Sequence, residues 1–291
     1  MLVTRVIHPV SSLPTLCMQW LQAKLALRSI DRIFKLQVDV SEQTDAPRPV
    51  VYTGQVLLQE VTFVHPNQYD DLTIRHWLVK PGERVGIVGA VGGGKSTLLK
   101  LIAGLYKPQR GPIRLDQHAL HALPRELLNR NVAYLPQNIP VFSGTLRDNL
   151  QAGLKEVPDE ELIQICQRVG LIGMVNAHAL GLDMPLPEGL HGLSVGQRQL
   201  VGIARLLLRE PLIWLLDDPL AHLDEGMQRR IISVLKQNIG PQQSLIVVGQ
   251  QPALLSLVDR VSVLSAGRLI MDGPRNEIMS AWRTRSAFAN E

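Results

Sequence analysis

The sequence is poor in cysteine: Cys17 and Cys166 stand far apart, with no metal-ligand or C-x-x-C spacing. That excludes a thiolate metal site read from spacing and fits a reduced, cytosolic setting. No window reaches the ~18–20 uninterrupted apolar residues of a membrane span. The first residues, Met1 to Pro9, do not read as a secretory signal, because Arg5 and His8 interrupt the apolar run and no small-residue cleavage site follows. The net charge is only +4 and is spread along the chain, so no block is dense enough for a nucleic-acid arm. Aromatic residues make up 4%, and Trp20, Trp77, Trp214 and Trp282 read as packing residues rather than base-stacking platforms. His118, His121, His178 and His191 lack metal spacing and read as surface or loop residues. What remains, 291 residues with 45% hydrophobic and 19% charged, is a globular composition long enough for about two domains, expected to be soluble or peripheral.

The richest stretch is Gly89-Ala90-Val91-Gly92-Gly93-Gly94-Lys95-Ser96-Thr97. It follows a β-type run, Arg84-Val85-Gly86-Ile87-Val88, and opens a helical one, Leu98 to Ala103, the strand–loop–helix context that G-x-x-x-x-G-K-[ST] requires. Glycines let successive backbone N–H groups curl into an anion-binding nest, and the following helix adds its positive N-terminal end. Lys95 supplies a compact cation for the β- and γ-phosphates, and the Ser96 hydroxyl is placed for Mg²⁺. The spacing therefore predicts nucleoside triphosphate binding.

Around it, residues 10–37 read as a long helix on the recurrence of Leu13, Leu16, Trp20, Ala23, Leu27, Ile30 and Phe34, with Pro14 in its first turn. That helix either packs on the following domain or is the cytoplasmic end of a membrane-leading helix. The polar, proline-bearing stretch Val40 to Pro49 reads as a linker. Strands are predicted over 56–64, 72–79, 113–116, 132–137, 212–217 and 245–248, with last strands beginning at Val261. Helices are predicted over 160–168, 172–177, 196–208, 225–236 and 252–257. Strands alternating with helices after the glycine-rich loop argue a mostly parallel sheet covered on both faces, with a helical block inserted between strands.

Further motifs follow in order: Gln137 at a strand end, Leu193-Ser194-Val195-Gly196-Gln197 opening a helix, the apolar strand ending Asp217-Asp218-Pro219, and Ala221-His222-Leu223-Asp224. In this order the chain resembles the nucleotide-binding domain of ATP-binding cassette (ABC) transporters over residues 50–275. Within that family it looks most like exporter cassettes, particularly those of bacterial type I secretion, on the segments Gly94 to Tyr106, Phe142 to Leu150 and Leu257 to Val261. The resemblance implies an α/β P-loop NTPase fold with a RecA-like parallel sheet core, an antiparallel β subdomain and an inserted α-helical subdomain. It divides the chain into a helix resembling the end of the last exporter membrane helix (1–39), a linker (40–50), an ATP-binding domain (51–278, helical subdomain about 138–210) and a tail (279–291).

The resemblance also implies ATP and Mg²⁺ as ligands. Gly89, Gly92, Gly93, Gly94, Lys95, Ser96 and Thr97 would cradle the phosphates. His65 would face the adenine, and Ser96, Gln137 and Asp217 would hold the metal. Two cassettes would pair head to tail, so that Ser194, Gly196 and Gln197 cap the partner's γ-phosphate and Asp224 contacts the opposite site. Implied partners are a second cassette, a membrane-spanning exporter domain and, for type I secretion, a periplasmic adaptor and an outer-membrane channel; nucleic acid is not among them. Such a chain would sit at the cytoplasmic face of the inner membrane, as the C-terminal part of a full exporter or a split piece of one.

Several positions depart from the family pattern. Asp218 stands where a glutamate usually orients the attacking water, one methylene short of it. Gln250 stands where a histidine usually contacts the γ-phosphate, Val195 where a glycine lies in the signature, and His65 where a larger aromatic stacks adenine. Asp218, Gln250 and Gln137 are the candidate catalytic side chains. The departures leave open an ordinary but slower ATPase, or a non-hydrolytic partner of a competent cassette. A soluble family member acting on nucleic acid or ribosomes fits less well.

Overall fold

The computed structural model describes residues 3–35, 52–65, 71–187, 192–249 and 251–288. It divides into two compact units, Met1–Asp45 and Ala46–Glu291. The first contains helix α1, Val3–Phe34. This helix begins earlier than the periodicity predicted, so Pro14 lies in its interior rather than its first turn, where proline removes a backbone hydrogen bond. Its Leu16, Trp20, Leu27, Ile30 and Phe34 are all exposed. No helix among the described residues is long and apolar enough to cross a membrane.

The second unit runs, in chain order, β1 (Val56–Val64), β2 (Asp71–Val79), β3 (Arg84–Val88), α2 (Lys95–Ile102), β4 (Ile113–Leu115), β5 (His118–Ala119), α3 (Arg125–Asn131), β6 (Val132–Leu135), β7 (Gly144–Thr145) and α4 (Leu146–Leu150). It continues with α5 (Asp159–Val169), α6 (Ile172–Ala177), β8 (Pro185–Leu186), α7 (Val195–Leu207), β9 (Ile213–Asp217), α8 (Glu225–Asn238), β10 (Ser244–Val248), β11 (Arg260–Ser265), β12 (Arg268–Pro274) and α9 (Arg275–Phe288). The strands form one sheet in the order β5-β4-β1-β2-β12-β11-β3-β10-β9-β6, and β7 pairs with β8 inside the helical block. Neighbours from β11 through β3, β10 and β9 to β6 are parallel, whereas β4-β1-β2 and β11-β12 are antiparallel. The result is a mixed α/β sheet with a parallel core flanked by antiparallel strands, as the resemblance led us to expect.

The parallel strands read as continuous apolar runs because both their faces are covered. Their side chains alternate between two hydrophobic clusters. Trp214 and Leu216 of β9, with Leu245 and Val247 of β10, join α5, α7 and α8 in one cluster. Ile213, Leu215, Ile246 and Val248 join α2 and the antiparallel strands in the other.

The local readings differ from the structure at several points, two of them at prolines. β6 ends at Leu135 because Pro136 cannot donate to the ladder, which leaves Gln137 exposed two residues beyond it. Residues Pro252–Leu257, predicted as a helix, form a tighter 3₁₀ helix opened by that proline. His118 is not in a loop but in β5, its ring 5.8 Å from Tyr52. The stretch read as a tail lies within α9 as far as Phe288.

The antiparallel and parallel parts are tied by a polar chain. Trp77 Nε1, on β2, donates to Ser262 Oγ at 3.0 Å, and Ser262 donates to Asp272 Oδ1 at 2.8 Å. Arg260 then joins Asp272 to Glu83, at 3.0 Å, and to the Leu78 carbonyl at 2.7 Å. Trp77 and Ser262 are fully buried. Replacing Ser262→Ala strands the indole N–H in the core, so we expect a loss of about 1–3 kcal/mol in urea unfolding; a loss below a few tenths would show that the chain is not a stabilising link.

Candidate active site

The loop between β3 and α2 is shaped by glycine. Gly94 caps α2 in a left-handed conformation, φ +92°, with no side-chain hydrogen bond to the helix start. The first-turn N–H groups of Lys95, Ser96 and Thr97 therefore remain available to an anion, and the helix dipole points at the same place. A second chain segment clasps this loop. Gly267, in the β11–β12 turn, donates its N–H to the Gly93 carbonyl at 3.3 Å, and its own carbonyl accepts from Thr73 N at 2.7 Å. Gly92, Gly93, Gly94, Lys95, Ser96, Thr97 and Gly267 line one cleft of about 220 Å³, together with Phe63, His65, Asp71 and Leu72. Gly89 closes the base of the loop, where β11 passes close by at Leu264.

Lys95 Nζ donates to the Gly89 and Ala90 carbonyls, at 3.0 and 2.7 Å, folding back over its own loop. Burial pulls its pKa below the usual lysine value, opposed by the charges of Asp217 and Asp218. Ser96 Oγ donates to Asp217 Oδ1 at 3.0 Å, and the Tyr134 hydroxyl donates to Asp217 Oδ2 at 3.2 Å. Asp217 is 2% exposed. Its burial pushes the carboxyl above the usual range, with the Ser96 and Tyr134 hydrogen bonds and the Lys100 charge pulling back and Asp218 pushing further. Burial, then the Asp217 charge, raises the Tyr134 hydroxyl pKa as well, keeping it a donor. Ser96, which lines the cleft, and Asp217, which accepts its hydrogen bond, thus present adjacent oxygens, the hard-donor chemistry that suits Mg²⁺.

Asp218 has φ +51°, a left-handed conformation that aspartate tolerates better than most residues. Its N–H donates to the Val248 carbonyl at 2.8 Å, and its Oδ1 is buried with no hydrogen-bond partner. Gln250 lies outside the described residues, as does His191. His65 sits edge-on to Phe63 and Tyr106, at 6.4 and 6.0 Å, and those two rings stack on each other at 5.2 Å.

The remaining candidates are held elsewhere. Ser194 caps α7: its Oγ accepts from Gln197 N at 3.1 Å while Gln197 Oε1 accepts from Ser194 N at 2.8 Å. Asp224 caps α8 by accepting from Met227 N at 2.9 Å. Gly196 lies against the segment leading to Asp224, since a Cβ there would come within 3.0 Å of the His222 carbonyl. Ser194, Gly196, Gln197 and Asp224 do not line the Lys95 cleft. Val195 is 45% exposed.

Tyr134, Tyr106, Asp71, Leu72 and Gly267 join the site without a motif role in the sequence. For Gly267 a signal existed, the turn Ser265-Ala266-Gly267-Arg268 between two strands. At φ +71°, a Cβ on Gly267 would fall 2.0 Å from the Asp71 carbonyl. Gly267→Ala should therefore cost about 1–3 kcal/mol in stability and weaken nucleotide binding in an equilibrium titration. Unchanged affinity would show that the clasp does not shape the loop.

The family model described as ABC transporter matches residues 72–221. The Bacillus subtilis protein named "Uncharacterized ABC transporter ATP-binding protein YfiB" is 30% identical over 280 residues, 95% of this chain and 48% of that protein. The Haemophilus influenzae "Glutathione/L-cysteine transport system ATP-binding/permease protein CydC" is 32% identical, covering 76% and 39%. The "ATP-dependent lipid A-core flippase" of Alkalilimnicola ehrlichii is 31% identical, covering 87% and 44%. The chain thus spans less than half the length of these relatives. A solved structure of a bacterial Atm1-family ABC exporter with ATP bound shares the fold, with TM-score 0.80 at 24% identity over 96% of this chain and 48% of that one. By its nest-forming loop, its strand order and the family model that matches it, the chain belongs to the ABC transporter family as an ATP-binding domain, an ATPase.

Proposed function

We propose that this ATPase energises transmembrane export, by binding ATP, closing onto a second cassette and reopening on hydrolysis. The observation that carries the reading is the Ser96–Asp217 contact of 3.0 Å beneath a glycine-capped helix start. It supplies a phosphate cradle and a metal-binding corner in one place. On this reading Lys95 leaves the Gly89 and Ala90 carbonyls for the β- and γ-phosphates. Gly89, Gly92, Gly93, Gly94 and Thr97 follow the phosphate chain, while His65 faces the adenine with Phe63 and Tyr106 behind it. Ser96, Asp217 and Gln137 would hold Mg²⁺, Asp217 through water. The ion, when bound, offsets phosphate charge and polarises the γ-phosphoryl group. Asp218 orients the attacking water and takes its proton, with Gln250 on the γ-phosphate side. From the second cassette, Ser194, Gly196 and Gln197 would cap the nucleotide with the start of α7, and Asp224 would contact the opposite site.

The domain division proposed with this reading is a leading helix (1–39), a linker (40–50), the ATP-binding domain (51–278, helical subdomain about 138–210) and a terminal segment (279–291). A membrane-spanning exporter domain is the proposed partner, which places the chain at the cytoplasmic membrane face. A groove of about 690 Å³ supports such docking. It is lined by the exposed Leu105 and Phe142 with Pro136, Pro140 and Arg205. Transport names among the relatives support the broad exporter reading. Type I secretion of a peptide or protein, with an adaptor and outer-membrane channel, rests only on the three segments named above.

A second reading, a cassette that binds ATP but hydrolyses it poorly beside a competent partner, is favoured by Asp218: it is one methylene short of glutamate, and its Oδ1 is already buried. Turnover by the purified chain tests both readings, with Lys95→Ala as the blank. Lys95→Ala should lower nucleotide affinity at least about tenfold, and Asp218→Glu with Gln250→His should raise turnover by ~10²-fold. Wild-type turnover already equal to that of the double variant would remove the impaired reading. No nucleotide binding at all would sink the cassette reading.

A further inference from the structure

Directly behind Asp218 the chain places a second unsatisfied polar atom. Pro252 restricts the residue before it to extended backbone, and Gln251 has φ −70°, ψ 125°. Held so, its side chain turns into the space beside Gly249. A Cβ on Gly249 would fall 3.1 Å from Gln251 Oε1 and 3.5 Å from Asp218 Oδ1, so both oxygens border the gap that this glycine leaves. Leu254 closes the other side, its Cδ1 2.2 Å from the same point. Both oxygens are buried, and neither has a hydrogen-bond partner. Two buried acceptors facing one gap are costly, whereas a carboxylate facing an amide N–H is favourable. Turning the Gln251 amide about its last bond exchanges Oε1 for Nε2 at almost no steric cost.

We infer that Gln251 is a positioning residue for Asp218: its side-chain Nε2 donates to Asp218 Oδ1, directly or across one water, and leaves the other carboxylate oxygen for the attacking water. This rests on the reading of Asp218 as the water-orienting acid. The backbone holds the aspartate from the Val248 side, through its N–H at 2.8 Å, and the amide holds it from the Gln251 side. Such a clamp is useful to a carboxylate one methylene short of the usual length, because misorientation costs a short side chain more of its reach. Gly249 is what admits it, since any side chain there would fill the gap.

The test uses the full chain labelled with ¹⁵N-glutamine. The Gln251 side-chain amide, identified by its disappearance in Gln251→Leu, should show a displaced resonance and hydrogen exchange slowed at least about tenfold against exposed amides. Both features should be lost in Asp218→Ala. In turnover, Gln251→Glu, which sets a carboxylate against Asp218, should lower kcat at least about tenfold with KM for ATP within about twofold. In an Asp218→Asn background the same change should cost nothing further. Thermal unfolding and nucleotide affinity of each variant confirm that it is folded. A solvent-like Gln251 amide indifferent to Asp218→Ala, or losses that add in the double variant, would overturn the inference. If Asp218→Asn leaves kcat unchanged, it is the reading of Asp218 as the acid that fails, and the amide resonances still report whether the two side chains meet.

Discussion

The arrangement depends on one buried carboxylate. Asp217 ends a strand whose five residues are all buried, and its oxygens are held by Ser96 from the loop helix and Tyr134 from the neighbouring strand. Burying a carboxylate this deeply is unfavourable and pushes its pKa up. The cost is tolerable because two hydroxyls donate to it while Lys95 and Lys100 stand near. The same contacts dictate the geometry around it. The parallel pairing of β9 with β6 and β10 brings Asp217 level with Val248 and Tyr134 near its side chain. The glycine cap of α2 sets Ser96 facing it.

From that corner the other features follow. Asp218 must leave the strand at once, and it does so by a left-handed turn fastened to the Val248 carbonyl. The loop that carries Lys95 is bonded at Gly93 to Gly267, a residue over 170 positions later in the chain, and the β11–β12 hairpin that carries Gly267 is anchored by the Trp77–Ser262–Asp272–Arg260 chain. On the proposed reading, stability and nucleotide binding are linked through ordinary hydrogen bonds between the antiparallel and parallel halves of one sheet.

Much of this was legible in the sequence wherever the signal is local. The loop from Gly89 to Thr97 announces itself by spacing, and β9 and β10 by unbroken apolar runs. What was not legible is what depends on long-range pairing. Tyr134 looks like any strand tyrosine until β6 is laid beside β9, and Tyr106 like a loop aromatic until it stacks on Phe63. Gly267 reads as a hairpin turn with no hint that it grips the loop. Helix α1 differs for another reason: the apolar periodicity, with Pro14 in the first turn, suggested a later start, yet the helix runs from Val3. Gln251 gave no signal because its placement depends on Pro252 after it and on the gap at Gly249, neither of which periodicity reveals.

We propose that Ser96 and Asp217 form a metal corner completed only by nucleotide. Electron paramagnetic resonance of Mn²⁺, substituting for Mg²⁺, reads this directly. With ATP the bound ion should show phosphorus couplings, without ATP binding should be weak, and Ser96→Ala should lower nucleotide-dependent affinity at least about tenfold, one hard oxygen ligand having been removed. Tight Mn²⁺ binding without nucleotide, or full affinity in Ser96→Ala, would show that these two oxygens do not make a nucleotide-dependent metal site.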